Sequence, residues 1–306
     1  MQERRTVPSG ARFSYWTAPD GWRIRRLHWP RTAGEGARGT LLFAGGRGDF
    51  IEKYLEAQAH WHRRGWNVIA FDWRGQGQSR GSITGGHLDD FSPLTADLAG
   101  LIAEAAREGR GKLVLVGHSM GGHLVLRTLV EHRPDVAAAV LIAPMIAVNS
   151  GPLSGRVARQ IAALATAAGA GRRPLRSGRF GPAPVGSGRQ LSLTSCPARY
   201  ADELWWWERE PGLMLGAPSW GWLNAAYRSA AQFLTPDRLA KVAVPVLLIG
   251  TDRDRLVSAP AIRKAAAAIT DAELLMFPDA GHEILREADP VRCHALARID
   301  AFLDRA

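Results

Sequence analysis

The sequence predicts an α/β protein: a mostly parallel central sheet with helices on both faces, interrupted by one inserted cap. Three observations predict it. Short apolar runs alternate with amphipathic stretches from Thr40 onward, the alternation stops near Pro144 and resumes near residue 236, and the third run leads directly into a Gly-x-Ser-x-Gly turn. At 306 residues, with hydrophobic residues at 46% and charged ones at 22%, the chain has enough apolar surface for a core that needs no disulfide staples.

The amino-terminal region is rich in Trp, Tyr and Arg. Phe13–Trp16 and Trp22–Trp29 read as strands around the turn Pro19-Asp20-Gly21, an antiparallel edge. The buried-strand candidates that follow are Leu41–Ala44, Val68–Phe71, Leu113–Val116 and Ala138–Ile142. Helical patterns near Ile51–Arg64, Pro93–Glu108 and Met120–His132 lie between them. Residues 145–235 are low in strand character and rich in Gly, Pro, Arg, Ala and Trp, which reads as the cap. Val244–Ile249, a helix at Pro260–Ile269, Glu273–Phe277 and a helix from Pro290 to Leu303 complete the sheet. The division is therefore 1–144 and 236–306 for the two parts of the core and 145–235 for the insertion.

The chemistry concentrates where runs end. Leu113–Val116 leads into Gly117-His118-Ser119-Met120-Gly121, and a helical pattern follows. Such a strand–turn–helix crowds the backbone, so side chains two before and two after the serine would collide with neighbouring elements. A serine hydroxyl is a weak nucleophile until a base takes its proton and a third group orients that base. Later run ends supply both. Asp252 and Asp254 follow Val244–Ile249, and His282 follows Glu273–Phe277, the order serine, acid, histidine expected of this arrangement. An oxyanion hole needs two backbone N–H groups; Met120, after the nucleophile, and Arg47, in the glycine-rich loop Gly45–Asp49, are the candidates.

Other features carry less chemistry. Asp72-Trp73-Arg74-Gly75-Gln76-Gly77-Gln78-Ser79 fits no nucleotide-binding pattern and reads as a turn supporting the site's rim. His60 and His62 point to different faces of their helix and no HExxH occurs, so no metal site is expected. Cys196 and Cys293 form no metal or redox motif, and a single bridge between them has no support in the sequence. In the cap, Trp205, Trp206, Trp220 and Trp222 are candidates to line an acyl pocket or meet a membrane interface, against the alternative that they form the cap's own core. The net charge of +10 favours anionic partners, and the eight arginines between Gly151 and Ala201, with no acidic residue among them, suit peripheral contact with an anionic membrane. A solvated loop rich in Gly, Pro and Arg, or a coding bias toward arginine, explains the same residues. No nucleic-acid motif accompanies the charge, and no nucleic-acid partner is expected. With no apolar leader and no span of about 18 apolar residues, the expected location is cytoplasmic, peripheral at most on the inner membrane surface.

At these residues the chain resembles the α/β hydrolases, and within them it is similar to the lysophospholipase L2 and monoacylglycerol lipase group. The likeness rests on Gly46-Arg47 followed by Lys53-Tyr54, on Asp72–Ser79, on Gly117–Gly122, and on Asp254 and His282. The Asp-Arg-Leu-Val context likewise favours Asp254 over Asp252 as the acid. The resemblance implies a cofactor-free serine hydrolase of single-acyl-chain lipid esters with a lid between the sheet's halves. Gly45-Gly46-Arg47 replaces the His-Gly pair usual in monoacylglycerol lipases, which favours the lysophospholipase side. An esterase or acyltransferase acting on small soluble esters, and a catalytically silent binding protein on the same fold, are the alternatives.

Overall fold

The structure, a computed structural model, describes residues 2–31, 37–108, 111–175 and 182–306. Part of the arginine-rich loop, including Arg176 and Arg179, lies outside them. A short helix α1 (Gln2–Arg5) precedes the pair β1 (Arg12–Thr17) and β2 (Arg23–Trp29), which are antiparallel as expected. The turn between them is closed by Trp22 N–H donating to Asp20 Oδ1 at 3.1 Å.

Six further strands follow: β3 (Gly39–Ala44), β4 (Trp66–Phe71), β5 (Lys112–His118), β6 (Ala138–Ile142), β7 (Val246–Thr251) and β8 (Ala272–Phe277). The eight strands form one sheet in the order β1-β2-β4-β3-β5-β6-β7-β8. The six from β3 to β8 pair in parallel, and β2 joins β4 antiparallel. β7 starts two residues later than the apolar run because Pro245 has no N–H to give to a ladder.

Helices α2 (Leu55–Arg63), α3 (Ser92–Glu108) and α4 (Met120–Glu131) follow β3, β4 and β5. Between β6 and β7 come α5 (Gly155–Ala165), α6 (Gly188–Leu193), α7 (Pro197–Arg209), α8 (Trp220–Phe233) and the single turn α9 (Pro236–Leu239). Helices α10 (Ala259–Ala268) and α11 (Asp289–Arg305) end the chain.

Successive strand residues point to opposite faces, and here both faces are covered. Leu42, Ala44, Leu113 and Leu115 pack with α3, α4 and α10; Leu41, Phe43, Val114 and Val116 pack with α2 and α11. That two-sided burial is why the strands read as continuous apolar runs instead of an alternation. The other expectations divide. Cys196 and Cys293 are free thiols. His60 lies 2.9 Å from Asp300, and His62 stacks on Trp29. Among the described residues no cluster suited to a metal occurs, and no helix is long and apolar enough to cross a membrane.

Candidate active site

Ser119 is the single residue between the end of β5 and the start of α4, and its backbone sits at φ 52°, ψ −116°. A positive φ is costly for any residue with a Cβ and persists only where surroundings enforce it. They do so here: a Cβ on Gly121 would stand 2.1 Å from the Ala44 carbonyl oxygen, and one on Gly117 would stand 2.7 Å from that of Gly121. The flanking glycines let α4 approach β3 and β5, and the turn holds the serine out at the carboxyl ends of the strands.

The loops after β7 and β8 bring the other two groups. Asp254 Oδ2 accepts from His282 Nδ1 at 2.7 Å, which leaves Nε2 to accept from Ser119 Oγ at 2.8 Å. Asp254 Oδ1 accepts from the N–H groups of Leu256 and Val257 at 2.8 and 2.9 Å. Burial raises the Asp254 pKa, but His282 and these two donors outweigh it, and the carboxyl stays below its ordinary value. Burial likewise disfavours the His282 cation, yet Asp254 overrides it and the imidazole pKa is raised. Asp252 takes no part; it is exposed and pairs with Arg263 at 2.6 Å.

Facing Ser119 is the loop after β3. A Cβ on Gly46 would lie 3.0 Å from Ser119 Cβ, so the loop backbone closes directly on the nucleophile. Neither Met120 N–H, the first of α4, nor Arg47 N–H donates to another described residue. The neighbouring N–H groups are engaged: Gly46 donates to Asp49 Oδ2 at 2.6 Å and Gly48 to Gln76 Oε1 at 2.7 Å. Gln76 belongs to the Asp72–Ser79 turn. In it Asp72 also accepts from Ile51 N–H at 3.0 Å, and Trp73 Nε1 donates to the Gly45 carbonyl at 2.6 Å. The segment read as a turn supporting the site's rim braces the loop opposite Ser119.

The sequence reading missed a buried ionic cluster beside this site. Lys53 Nζ lies 2.8 Å from Asp49, 2.9 Å from Glu203 and 2.5 Å from Glu283. Arg189 pairs with Glu203 at 2.9 Å, and Arg286 pairs with Glu283. His118 Nδ1 lies 2.9 Å from both Asp49 Oδ2 and Tyr54 Oη. The cluster joins the loop after β3, α7 and the residue after His282. Lys53-Tyr54 was a visible local signal for it; Glu203, 150 positions away in the sequence, had none.

Ser119, His282, Met120 and Arg47 open on a cavity of about 900 Å³ between the sheet and helices α5 to α8. Its walls are mainly apolar, among them Met145, Val148, Ile161, Leu223 and Tyr227. Trp220 and Trp222 line it as expected, but Trp205 and Trp206 do not. Successive helical residues turn by about 100°, so of three tryptophans in a row on α7 it is Trp207 that faces the cavity. Trp206 Nε1 donates to the Arg4 carbonyl at 3.1 Å, and the Arg5 and Arg209 guanidiniums lie over Trp205 at 5.3 and 4.0 Å.

A serine, a carboxylate and a histidine delivered in that chain order from the ends of parallel strands define a serine hydrolase of the α/β-hydrolase fold. More narrowly, the chain belongs to the family described as "Serine aminopeptidase, S33", whose sequence profile matches residues 35–289. A "Probable lysophospholipase L2" of Haemophilus influenzae is 27% identical over 292 residues, covering 92% of this chain and 87% of the relative. A "Monoacylglycerol lipase" of Mycolicibacterium smegmatis is 25% identical, covering 82% and 84%. A soluble variant of the monoglyceride lipase of Saccharomyces cerevisiae, solved with a substrate analogue, shares the fold with a TM-score of 0.75 at 20% identity, covering 99% of this chain and 98% of that one. The likeness read from Gly46-Arg47, Asp72–Ser79 and Gly117–Gly122 is borne out, and the chain is a serine ester hydrolase.

Proposed function

We propose that the protein cleaves carboxylic esters of single-acyl-chain lipids, of the lysophospholipase or monoacylglycerol lipase type, through an acyl-enzyme on Ser119. The observation that carries the reading is the continuous hydrogen-bonded line Asp254–His282–Ser119 at the wall of an apolar cavity. His282 Nε2 takes the hydroxyl proton as Ser119 Oγ attacks the ester carbon, and Asp254 steadies the imidazolium that forms. The Met120 and Arg47 N–H groups receive the oxyanion. When the tetrahedral intermediate collapses, His282 returns the proton to the departing alkoxide; water, deprotonated by the same nitrogen, then releases the fatty acid and restores Ser119.

Residues 145–235 act as the cap in this reading. A volume of about 900 Å³ lies within the roughly 300–1,000 Å³ typical of a site that encloses one small ligand. Trp207, Trp220 and Trp222 form part of its wall. The rim of the cavity suits a lipid source: Leu153 and Ile161 of its wall are also exposed, and Val157 and Leu164 continue them at helical spacing with Arg156 and Arg159 among them. That combination favours peripheral contact with an anionic membrane. An aminopeptidase, as the family description names, needs a free carboxylate to hold the substrate's ammonium group. The three carboxylates on the cavity wall, Asp49, Glu203 and Glu283, are each already paired with a cation, which favours esters.

A panel of lysophosphatidyl lipids, monoacylglycerols, short p-nitrophenyl esters and aminoacyl p-nitroanilides tests the assignment. Turnover of the long single-chain esters, abolished in Ser119→Ala, is expected. Turnover confined to short esters or to anilides would overturn it.

A further inference from the structure

Arg47 contributes its N–H to the loop facing Ser119, but its side chain poses a separate question. Nη2 donates to the carbonyls of Gly85 and Gly216 at 2.8 and 3.0 Å, and the guanidinium stands 5.2 Å from the ring centre of Trp222. Nε is buried with no acceptor, and Nη1 has none among the described residues. Among the described residues no carboxylate pairs with it. Burial alone lowers its pKa, to about 10, so it stays charged at neutral pH. A guanidinium removed from water without a counter-ion is an unusual expense in a stable fold.

The other charged groups are paired. Asp49, Glu203 and Glu283 of the wall are matched by Lys53 and Arg189 on it and by Arg286 behind it. Among the described residues Arg47 is the cation of the wall that has no carboxylate partner, on a residue whose predecessor packs against Ser119. Guanidinium N–H groups form short, charge-assisted hydrogen bonds to phosphate oxygens, and with Nη2 engaged and Nε buried it is Nη1 that is left to make them.

We propose that the Arg47 side chain binds the substrate's phosphodiester and selects single-chain esters with an anionic headgroup over neutral ones. The proposal rests on the ester hydrolase reading above and names its substrate class. One residue then serves both ends of the reacting group: its N–H faces the ester carbonyl while its guanidinium neutralises the headgroup. A glycerol headgroup would leave the cation without a counter-ion in the occupied cavity, and discrimination follows from that penalty.

The test compares kcat/KM for a lauroyl lysophosphatidylglycerol and for 1-lauroylglycerol, both below their micellar concentrations, in the wild type, Arg47→Gln and Arg47→Lys. The wild type should prefer the phosphodiester. Arg47→Gln should lower the ratio of the two kcat/KM values at least tenfold, mainly through KM of the charged substrate, and Arg47→Lys should restore part of it. An unchanged ratio, or a lysine variant no better than glutamine, would overturn the proposal. A measurement on the wild type covers variants that fail to fold. Against p-nitrophenyl ester hydrolysis, dodecyl phosphate should inhibit competitively and at least tenfold more strongly than neutral dodecylglycerol or anionic laurate. Equal inhibition by the neutral ether would remove the anion site. Equal inhibition by laurate would assign it to the released fatty acid and defeat the phosphodiester proposal. Absence of turnover of every ester would instead sink the ester hydrolase reading, so the two failures are distinct.

Discussion

Replacing Lys53 with methionine keeps the length of the side chain and removes its charge from a site where three carboxylates converge on it. Arg189 and Arg286 would then be the permanent cations left to Asp49, Glu203 and Glu283, with the His118 imidazole beside Asp49. Burial pushes the Glu203 carboxyl up, but Lys53 and Arg189 outweigh it and hold its pKa at about 2. Breaking one partner out of a buried ionic group costs about 3–5 kcal/mol. With an unfolding entropy of about 2.1 cal/mol/K per residue, this 306-residue chain should lose roughly 5–8 °C in Tm by scanning calorimetry. The sign of the pH dependence follows from the carboxylates. The depressed folded pKa values of Asp49 and Glu203 stabilise the wild type above the unfolded carboxylate pKa of about 4, and that contribution is lost as pH falls toward the folded values. In Lys53→Met one carboxylate has no counter-ion, and its folded pKa rises above the unfolded one. The gap in Tm should therefore be full at pH 8 and narrow toward pH 4. A Tm within 1 °C of wild type at pH 8, or a gap independent of pH, would refute the view of Lys53 as the shared counter-ion of this cluster.

Asp254→Asn should lower kcat by about 10⁴-fold, the order seen when a triad acid is neutralised; Asp252→Asn, at an exposed pair with Arg263, should leave it within about threefold. Steady-state ester hydrolysis distinguishes the two. Because Asp254 raises the His282 pKa, kcat/KM should climb with pH through an apparent pKa above the ordinary 6.5 of an imidazole, and a limb at or below 6.5 would contradict the geometry. Trp207→Ala, at the cavity wall, should change the preferred acyl length and lower long-chain kcat/KM about tenfold or more, the scale of losing a buried aromatic contact. Trp205→Ala, beneath two arginines, should change neither.

The sheet was legible because two-sided burial leaves a strong mark: six parallel strands appear as short apolar runs, and each was located to within two residues. Strand ends blurred where a polar or small residue continued the ladder, as at Gly39 and Lys112, or where Pro245 could not begin one. The serine, the acid and the histidine were legible because parallel strands deliver loop residues to one rim, so positions just after Val116, Ile249 and Phe277 meet in space. Which aspartate reaches His282 is fixed by the hydrogen bonds that Asp254 accepts from Leu256 and Val257, within the same Asp-Arg-Leu-Val run whose likeness favoured it. The segment between β6 and β7 was readable only as a break in the alternation. Its helix faces were not, and three consecutive tryptophans gave no clue that Trp207 alone turns inward. The Lys53 cluster lay beyond reach for another reason: its members come from separate segments and meet only where α6 and α7 pack beside the loop after β3 and the residues after His282.

The most direct test of the central claim is covalent labelling with a fluorophosphonate, followed by mass spectrometry of the modified peptide. A hydroxyl activated by His282 should carry the adduct on Ser119, and labelling should disappear in Ser119→Ala and fall by several orders of magnitude in rate in His282→Ala. A wild type that remains unlabelled while folded, or an adduct on any other residue, would contradict Ser119 as the nucleophile.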